Sequence, residues 1–173
     1  MSKPCLILID LQKGVVALKN GVFNADAIIK HSVICLKHAI NKGIQVILTQ
    51  HENNSFLIKH SENWELMESV KKYSSNAFIL EKKHPGIYKE SGLEEYLQQI
   101  NTSDLYIGGL ISNGCVREAC IDSLKHGFPV HLLEDCHSTF YGNAKKVITD
   151  INSELEKAGI DLISTLSFIE KNA

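Results

Sequence analysis

The sequence predicts an α/β protein, a three-layer α/β/α sandwich around a six-stranded, mostly parallel sheet. Three observations predict this class. Short apolar runs of strand length alternate along the chain with longer segments of helical periodicity, and glycines stand at several of the changes between them. Successive strands separated by helices pair in parallel through right-handed crossovers, and the helices then cover both faces of the sheet.

The elements can be predicted in order along the chain. Strands are expected at residues 5–9, 44–48, 78–81, 105–107, 129–133 and 161–163. Helices are expected at residues 25–42, 92–100, 116–127 and 143–157, with a short helix or turn at 64–67. The first strand is an unbroken apolar run, which is typical of a strand buried on both faces. The polar stretch 53–62 is predicted to be a loop on the active face. No repeat or linker divides the chain, so we expect residues 1–173 to form a single domain.

Composition limits the function classes. A chain of 173 residues can bury a substantial core, and a formal net charge of −2 without any Lys/Arg block predicts no nucleic acid and no membrane as partner. The chain has no apolar run long enough to span a bilayer, and its first residues lack the pattern of a signal peptide, so we expect a cytoplasmic protein. Five cysteines without a C-x-x-C pair argue against a disulfide framework and against a cysteine-rich zinc site.

One cysteine lies where a nucleophile would be effective. Gly108 and Gly109 end a strand, and Cys115 follows in the turn before the next helix. The free backbone N–H groups and the dipole at a helix start favour a thiolate, and the same N–H groups could hold an oxyanion. A lone cysteine more often packs as a small apolar side chain, so the prediction depends on the residues that accompany Cys115.

Three other ionisable residues follow predicted strands. Asp10, Lys82 and Asp135 each stand at the expected carboxyl end of a strand, as does Cys115. In a parallel sheet these ends share one edge, and ligands bind there near the point where the strand order reverses. The sequence therefore predicts that one acid, one amine and one thiol converge on one face.

Three segments in this order carry a resemblance to a known family. They are residues 8–12 (LIDLQ), 82–88 (KKHPGIY) and 108–116 (GGLISNGCV). Their combination resembles the isochorismatase-like cysteine hydrolases, the superfamily of nicotinamidases and N-carbamoylsarcosine amidases. The similarity covers nearly the whole chain, although residues 86–88 depart from the family's usual Ser-Ala-Phe. It implies a Rossmann-like, isochorismatase-like hydrolase fold.

The resemblance also implies roles for individual residues. Asp10 would be the general acid/base, Lys82 the cationic member and Cys115 the nucleophile of an Asp-Lys-Cys triad. The backbone N–H groups of Ile111 and Cys115 would form the oxyanion hole, and the peptide bond between Leu110 and Ile111 would be cis. The implied activity is hydrolysis of a C–N bond in a small amide or in a ureido or carbamoyl compound, through an acyl-enzyme.

The sequence gives weaker indications for the substrate pocket and for metal. Candidate substrate-binding residues are His51, Trp64, Tyr88 and His137, because aromatic and imidazole groups on active-face loops commonly shape pockets. Nicotinamidases bind zinc through an Asp-x-His pair and a further histidine, and the acid before His51 is missing here. His51, Glu52 and His60 could in principle bind an ion, but we expect no metal and no other cofactor.

The sequence is also compatible with other hypotheses about function. The fold could serve as a catalytically silent binding or scaffold protein, or as an isochorismatase that acts on a vinyl ether. Cys115 could also form a redox pair with Cys120 or Cys136, although the helical offset to Cys120 is poor for a disulfide. The expected partners are a small-molecule substrate and further copies of the chain, as a dimer or tetramer. Arg117, the single arginine, is expected to have an acidic partner.

Overall fold

A six-stranded parallel sheet forms the centre of the computed structural model, which describes residues 3–89 and 92–173. The strands are β1 (Pro4–Ile9), β2 (Gln45–His51), β3 (Phe78–Lys82), β4 (Asp104–Leu110), β5 (Val130–Ser138) and β6 (Asp161–Ile163). The helices are α1 (Lys13–Ala17), α2 (Ala25–Asn41), α3 (Glu68–Lys71), α4 (Leu93–Gln99), α5 (Arg117–Lys125), α6 (Ala144–Lys157) and α7 (Thr165–Lys171).

The strand order in the sheet is β3-β2-β1-β4-β5-β6, and every neighbouring pair is parallel. The chain runs outward from β1 through β2 to β3 and then returns to place β4 on the other side of β1. The strand order therefore reverses between β1 and β4, and in open parallel sheets ligands bind outside the carboxyl ends of the strands at such a point. This arrangement confirms the predicted α/β sandwich.

The unbroken apolar run of β1 is explained by two cores, one on each face of the sheet. Cys5, Ile7 and Ile9 point into a core that α4, α5 and α6 complete. Leu6 and Leu8 point into the opposite core, which α2, α3 and α7 complete. Because successive side chains of a strand alternate between faces, a strand buried on both sides needs apolar residues at every position.

The strand β5 differs most from the prediction. It was expected to end at residue 133, but it continues to Ser138 across an irregularity in its pairing with β4: Ile107 pairs with Leu132, whereas Gly109 pairs with His137. Asp135 consequently lies inside β5 instead of at its end. Its carboxylate accepts hydrogen bonds from the backbone N–H and the hydroxyl of Thr165 at the start of α7, so it is not part of the predicted cluster.

Two glycines allow β4 to pass close to its neighbours. Gly109 has φ +118°, and a Cβ there would lie 2.2 Å from the carbonyl oxygen of Ile9. A Cβ on Gly108 would lie 2.9 Å from the Cβ of Cys136. Only glycine fits positions where backbones approach this closely. The peptide bond Leu110–Ile111, directly after this pair, is cis as expected.

No helix within residues 3–89 and 92–173 combines the length and the apolar character that crossing a membrane would require.

Candidate active site

Three of the predicted site residues meet at the carboxyl edge of the sheet, near the point where the strand order reverses. Asp10 directly follows β1, Lys82 is the last residue of β3, and Cys115 lies in the turn after β4. The ammonium nitrogen Nζ of Lys82 lies 2.8 Å from Oδ2 of Asp10 and 3.3 Å from Sγ of Cys115. Asp10 and Lys82 are each only 2% exposed, while Cys115 is half-buried. The geometry places an acid, a cation and a thiol in mutual contact.

The Lys82 ammonium has further polar neighbours. It lies 3.3 Å from Nδ1 of His51, its pairing partner at the end of β2, and 3.2 Å from the carbonyl oxygen of His84. Because an ammonium only donates, Nδ1 of His51 accepts, and the ring proton of the neutral imidazole is on Nε2. Burial acts to lower the pKa of Lys82, but the negative charge of the Asp10 carboxylate opposes burial, and the net effect is a raised pKa, so Lys82 stays cationic.

The carboxylate of Asp10 is fixed by Thr49, a residue that sequence analysis missed. The Thr49 hydroxyl donates to Oδ1 of Asp10 and accepts from the Asp10 backbone N–H at 3.0 Å. Asp10 itself has φ +48°, a left-handed conformation that few residue types adopt readily. Both carboxylate oxygens are thus hydrogen-bonded, one to Thr49 and one to Lys82, which fixes the orientation of the acid.

The turn that carries Cys115 is not the first turn of a regular helix. It covers Ser112–Val116, and α5 begins only at Arg117. Within the turn Gly114 has φ −134° and ψ −116°, and the carbonyl oxygen of Ile111 accepts from the N–H groups of Gly114 and Val116 at 3.0 and 3.3 Å. Cys115 therefore precedes the regular helix, and the effect of the helix dipole falls off with distance from the terminus.

The thiol of Cys115 is protonated in the free protein, which corrects the expectation of a stabilised thiolate. Burial and the Asp10 carboxylate raise the pKa of Cys115 to about 12, and Lys82 opposes them only in part. A carboxylate oxygen of Asp10 lies within 4.8 Å of the sulfur. The thiol proton thus has an acceptor beside it.

Gln12 is a second residue that sequence analysis missed. It is buried, its Nε2 donates to the carbonyl oxygens of His51 and Trp64 at 2.9 and 2.8 Å, and its Oε1 accepts from the His51 backbone N–H at 2.9 Å. It therefore joins the end of β2 to the loop that follows. Its position in the segment 8–12, two residues after Asp10, was the available signal.

The predicted substrate-binding residues divide into two pairs. His51 lies at the site, and Trp64 is half-buried in the loop after β2. Its ring makes a T-shaped contact with the ring of His60, with 5.4 Å between the centroids. The side chains of Tyr88 and His137 point away from the group formed by Asp10, Lys82 and Cys115. The Tyr88 hydroxyl donates to Ser123 Oγ at 3.0 Å and its ring stacks on His126, so it packs against α5.

His137 is 1% exposed and does not face an open pocket, which corrects its predicted role in substrate binding. Its Nδ1 lies 2.8 Å from Oγ of Ser112, the first residue of the turn that carries Cys115. The reason for the difference is the extension of β5, which brings residue 137 under the turn.

The hypothesis of a redox pair is not supported, since no cysteine in the described part of the chain forms a disulfide with Cys115. Cys120 is fully buried in the core beneath α5, and Sγ of Cys136 lies 4.0 Å from Sγ of Cys35 in the opposite core. The expected acidic partners of Arg117 lie within the chain, at Glu118 and Glu154.

A cavity of about 810 Å³ lies away from these residues. It is lined by the loop before α2 and the start of α6, including Lys19, Phe140 and Tyr141. The triad residues are not among those that line it.

Comparisons with known proteins agree with this architecture. The family model described as Isochorismatase domain matches residues 4–164. The isochorismatase family protein YddQ of Bacillus subtilis is 26% identical over 139 residues, which cover 78% of this chain and 77% of that protein.

Solved structures share the fold. A cysteine hydrolase from Pseudomonas syringae superposes with a TM-score of 0.89 at 16% identity, covering 99% of this chain and 94% of its own. A pyrazinamidase of Pyrococcus horikoshii in complex with zinc superposes with a TM-score of 0.79 at 22% identity. The superposition covers 94% of this chain and 99% of the pyrazinamidase. At these identities the likeness shows the fold alone.

The zinc of that pyrazinamidase raises the question whether the residues here fit a metal. Among the residues that the structure describes, one group of potential ligands is close enough, Asp10, His51 and Cys115, whose ligand atoms lie within 4.8 Å of one another. The Lys82 ammonium stands among them, 2.8 to 3.3 Å from the nearest atom of each. Lys82 thus occupies the position of a cation, and this group does not fit a metal while Lys82 is charged.

Proposed function

The chain belongs to the isochorismatase family, and from this premise we propose that it is a cysteine hydrolase that cleaves a C–N bond in a small amide, ureido or carbamoyl compound. The observation that supports the proposal most directly is the position of Lys82, whose ammonium touches both the Asp10 carboxylate and the Cys115 sulfur. A nucleophile, a proton acceptor and a cation in contact at the carboxyl edge of a parallel sheet suit nucleophilic acyl transfer.

The first step is the attack of sulfur on the substrate carbonyl. Because the Cys115 thiol is neutral in the free protein, its proton passes to Asp10 as the S–C bond forms. The positive charge of Lys82 stabilises the sulfur while it loses the proton. Thr49 and Lys82 keep the carboxylate oriented toward the thiol throughout.

The tetrahedral intermediate then requires hydrogen-bond donors for its oxyanion. We assign this role to the backbone N–H groups of Ile111 and Cys115, and such a donor contributes about 3 kcal/mol in other enzymes. Asp10 gives its proton to the leaving nitrogen as the C–N bond breaks, which leaves a thioester on Cys115. Asp10 next takes a proton from water, and the resulting attack releases the acid and restores the thiol.

His51 is the best-placed substrate contact. Its Nδ1 accepts from Lys82, so a neutral ring carries its proton on Nε2, and an imidazole N–H is a donor that suits a carbonyl or carboxylate oxygen. Trp64 stands in the same loop region and offers an aromatic face.

A screen of small primary amides, ureido acids and carbamoyl compounds for ammonia release tests the proposal. The wild type is expected to turn over at least one compound, and Cys115→Ala and Asp10→Asn are expected to lose at least about 1,000-fold in kcat. Mass spectrometry of a rapidly quenched reaction should find the acyl group on Cys115. Full turnover by Cys115→Ala would refute the cysteine mechanism, and no turnover of any compound would favour a silent binding protein.

A further inference from the structure

The turn that carries Cys115 is irregular and needs support from outside α5. Gly114 departs from helical dihedral angles, and neither the turn nor α5 begins with a side-chain cap. The hydrogen bonds to the Ile111 carbonyl close the turn but leave the side chains of its first two residues, Ser112 and Asn113, to find partners elsewhere.

The end of β5 provides both partners. Nδ1 of His137 lies 2.8 Å from Oγ of Ser112, and Oγ1 of Thr139 donates to Oδ1 of Asn113 at 2.9 Å. His137 and Thr139 are two residues apart, so they point to the same side of an extended chain. Ser112 and Thr139 are fully buried and His137 nearly so, which means that water does not compete for the bond between His137 and Ser112.

This part of β5 is itself anchored. The hydroxyl of Ser138, on the opposite side, donates to the carbonyl oxygen of Phe23 at 2.6 Å, and the Phe23 N–H donates to the carbonyl oxygen of Thr139 at 2.9 Å. The segment that holds the turn is thus fixed on its far side by the loop before α2. It can act as a rigid support.

The protonation of His137 suits this role. Burial lowers the pKa of His137 to about 4, so the ring is neutral near neutral pH. A neutral ring can accept from the Ser112 hydroxyl at Nδ1 and keep its proton on Nε2. Asn152 of α6 neighbours the ring and acts to raise its pKa. Within residues 3–89 and 92–173, no hydrogen bond of normal geometry reaches Nε2.

We propose that His137 and Thr139 are positioning residues, which hold Ser112 and Asn113 so that the sulfur of Cys115 stays beside Lys82 and Asp10. The proposal rests on the proposed function of Cys115 as the nucleophile. Its physical basis is that reaction rates depend steeply on the position of the attacking atom, and a misplacement of about 1 Å can cost about 100-fold.

Three variants at these positions test the proposal. His137→Leu removes the bond to Ser112, Thr139→Val removes the bond to Asn113, and His137→Asn keeps a polar atom near the position of Nδ1. His131→Leu is the matched control, because His131 stands in the same strand but stacks on Tyr106 away from the turn.

The first readout is turnover of a compound that the wild type hydrolyses. His137→Leu and Thr139→Val are expected to lower kcat about 10- to 100-fold with KM within about twofold, because the nucleophile is displaced while the pocket remains. His137→Asn should recover most of the loss, and His131→Leu should leave kcat unchanged. If the two residues had only a structural role, the variants would have a lower melting temperature. They would not show a lower kcat at an unchanged KM, and His137→Asn would not recover kcat.

The second readout does not need a substrate. The rate of alkylation of Cys115 by iodoacetamide, followed by peptide mass spectrometry across a pH series, reports the surroundings of the sulfur. His137→Leu and Thr139→Val are expected to shift this pH profile, and His131→Leu is not. If wild-type turnover is never found, the proposed function fails while this measurement still decides the positioning role. Folded variants with wild-type kcat and an unshifted alkylation profile would overturn the inference, and Thr139→Val decides if His137→Leu does not fold.

Discussion

At the scale of single residues, Asp10 affects Cys115 in two opposite ways. Its negative charge, together with burial, raises the pKa of the thiol, yet it is also the group that can accept the thiol proton. Lys82 opposes the first effect, and in the proposed mechanism it stabilises the charges that form. In that mechanism the proton stays on sulfur until a carbonyl group is in place, which protects the thiol from indiscriminate reaction.

This balance predicts an unusual phenotype for Asp10→Asn. Removing the carboxylate charge should lower the pKa of Cys115, and each unit of decrease gives about tenfold more thiolate at a fixed pH below the pKa. Alkylation of Cys115 by iodoacetamide at pH 8 should become faster than in the wild type, while turnover is lost because the proton acceptor is gone. Asp150→Asn, on the exposed side of α6, is the control and should change neither rate. Slower alkylation in Asp10→Asn would contradict the assigned electrostatics.

Thr49 should raise the rate of turnover through Asp10, whose carboxylate it orients, and not through the sulfur itself. Thr49→Val keeps the shape and removes a hydrogen bond to a buried carboxylate, a bond typically worth about 2 kcal/mol. We expect kcat to fall about 10- to 30-fold, since part of that energy orients Asp10. Thr149→Val on α6, where the hydroxyl bonds only to the Lys145 carbonyl, should have no effect. Equal kcat in Thr49→Val and Thr149→Val would show that Asp10 needs no such support.

The sequence predicts the site residues that stand at strand ends, but it does not predict the residues that support them, and the difference has a physical reason. Asp10, Lys82 and Cys115 could be placed together because strand ends are visible in the hydrophobic pattern and parallel strands align their carboxyl ends. Thr49 and Gln12 were missed because their hydrogen bonds join separate strands and loops, which spacing along the chain does not reveal. His137 was given the wrong role since its side-chain type does not indicate which face of a strand it occupies.

At the scale of elements, patterns of apolar residues predicted most of the sheet, and polar segments caused the errors. β1 was found because it is apolar at every position. The mostly polar composition of residues 134–138 predicts a loop, but the side chains of Asp135, His137 and Ser138 form hydrogen bonds with Thr165, Ser112 and Phe23. The short helix α7 was not predicted, although Ser164 caps it by accepting from the Ser167 N–H.

The approach of β4 to β1 gives a prediction at this scale. Gly109→Ala would place a Cβ 2.2 Å from the Ile9 carbonyl oxygen in addition to the strain of φ +118°, so the strands must separate. We expect a loss of at least about 3 kcal/mol in the free energy of unfolding. Gly127→Ala is the matched control, with φ +84° and open space around the added methyl group, and should cost only about 1 kcal/mol. Urea denaturation of both variants measures the difference, and equal losses would show that the contact with Ile9 is relieved without cost.

At the scale of the whole molecule, the two cores make the sheet a rigid platform with its reactive residues at one edge. The strands are parallel and in this order and register, so the carboxyl ends of β1, β3 and β4 lie at the same edge of the sheet. The oligomeric state, expected to be a dimer or tetramer, stays a prediction that sedimentation equilibrium can test. The same burial that makes the platform rigid also links its stability to pH.

His137 should make the fold less stable in acid. Its pKa is about 4 in the folded protein and about 6.5 in an unfolded chain, so between these values the unfolded state binds more protons. Stability therefore rises with pH across this window and is lost as the pH falls from 6.5 toward 4, by up to about 3 kcal/mol from this group. The variant His137→Asn has no imidazole to protonate at this position. The other ionisable groups change the free energy of unfolding equally in the variant and in the wild type. The difference in unfolding free energy between wild type and His137→Asn should thus shrink as urea denaturation is repeated from pH 7 to pH 4.5. A constant difference would mean that His137 titrates normally, and the buried neutral ring inferred here would be wrong.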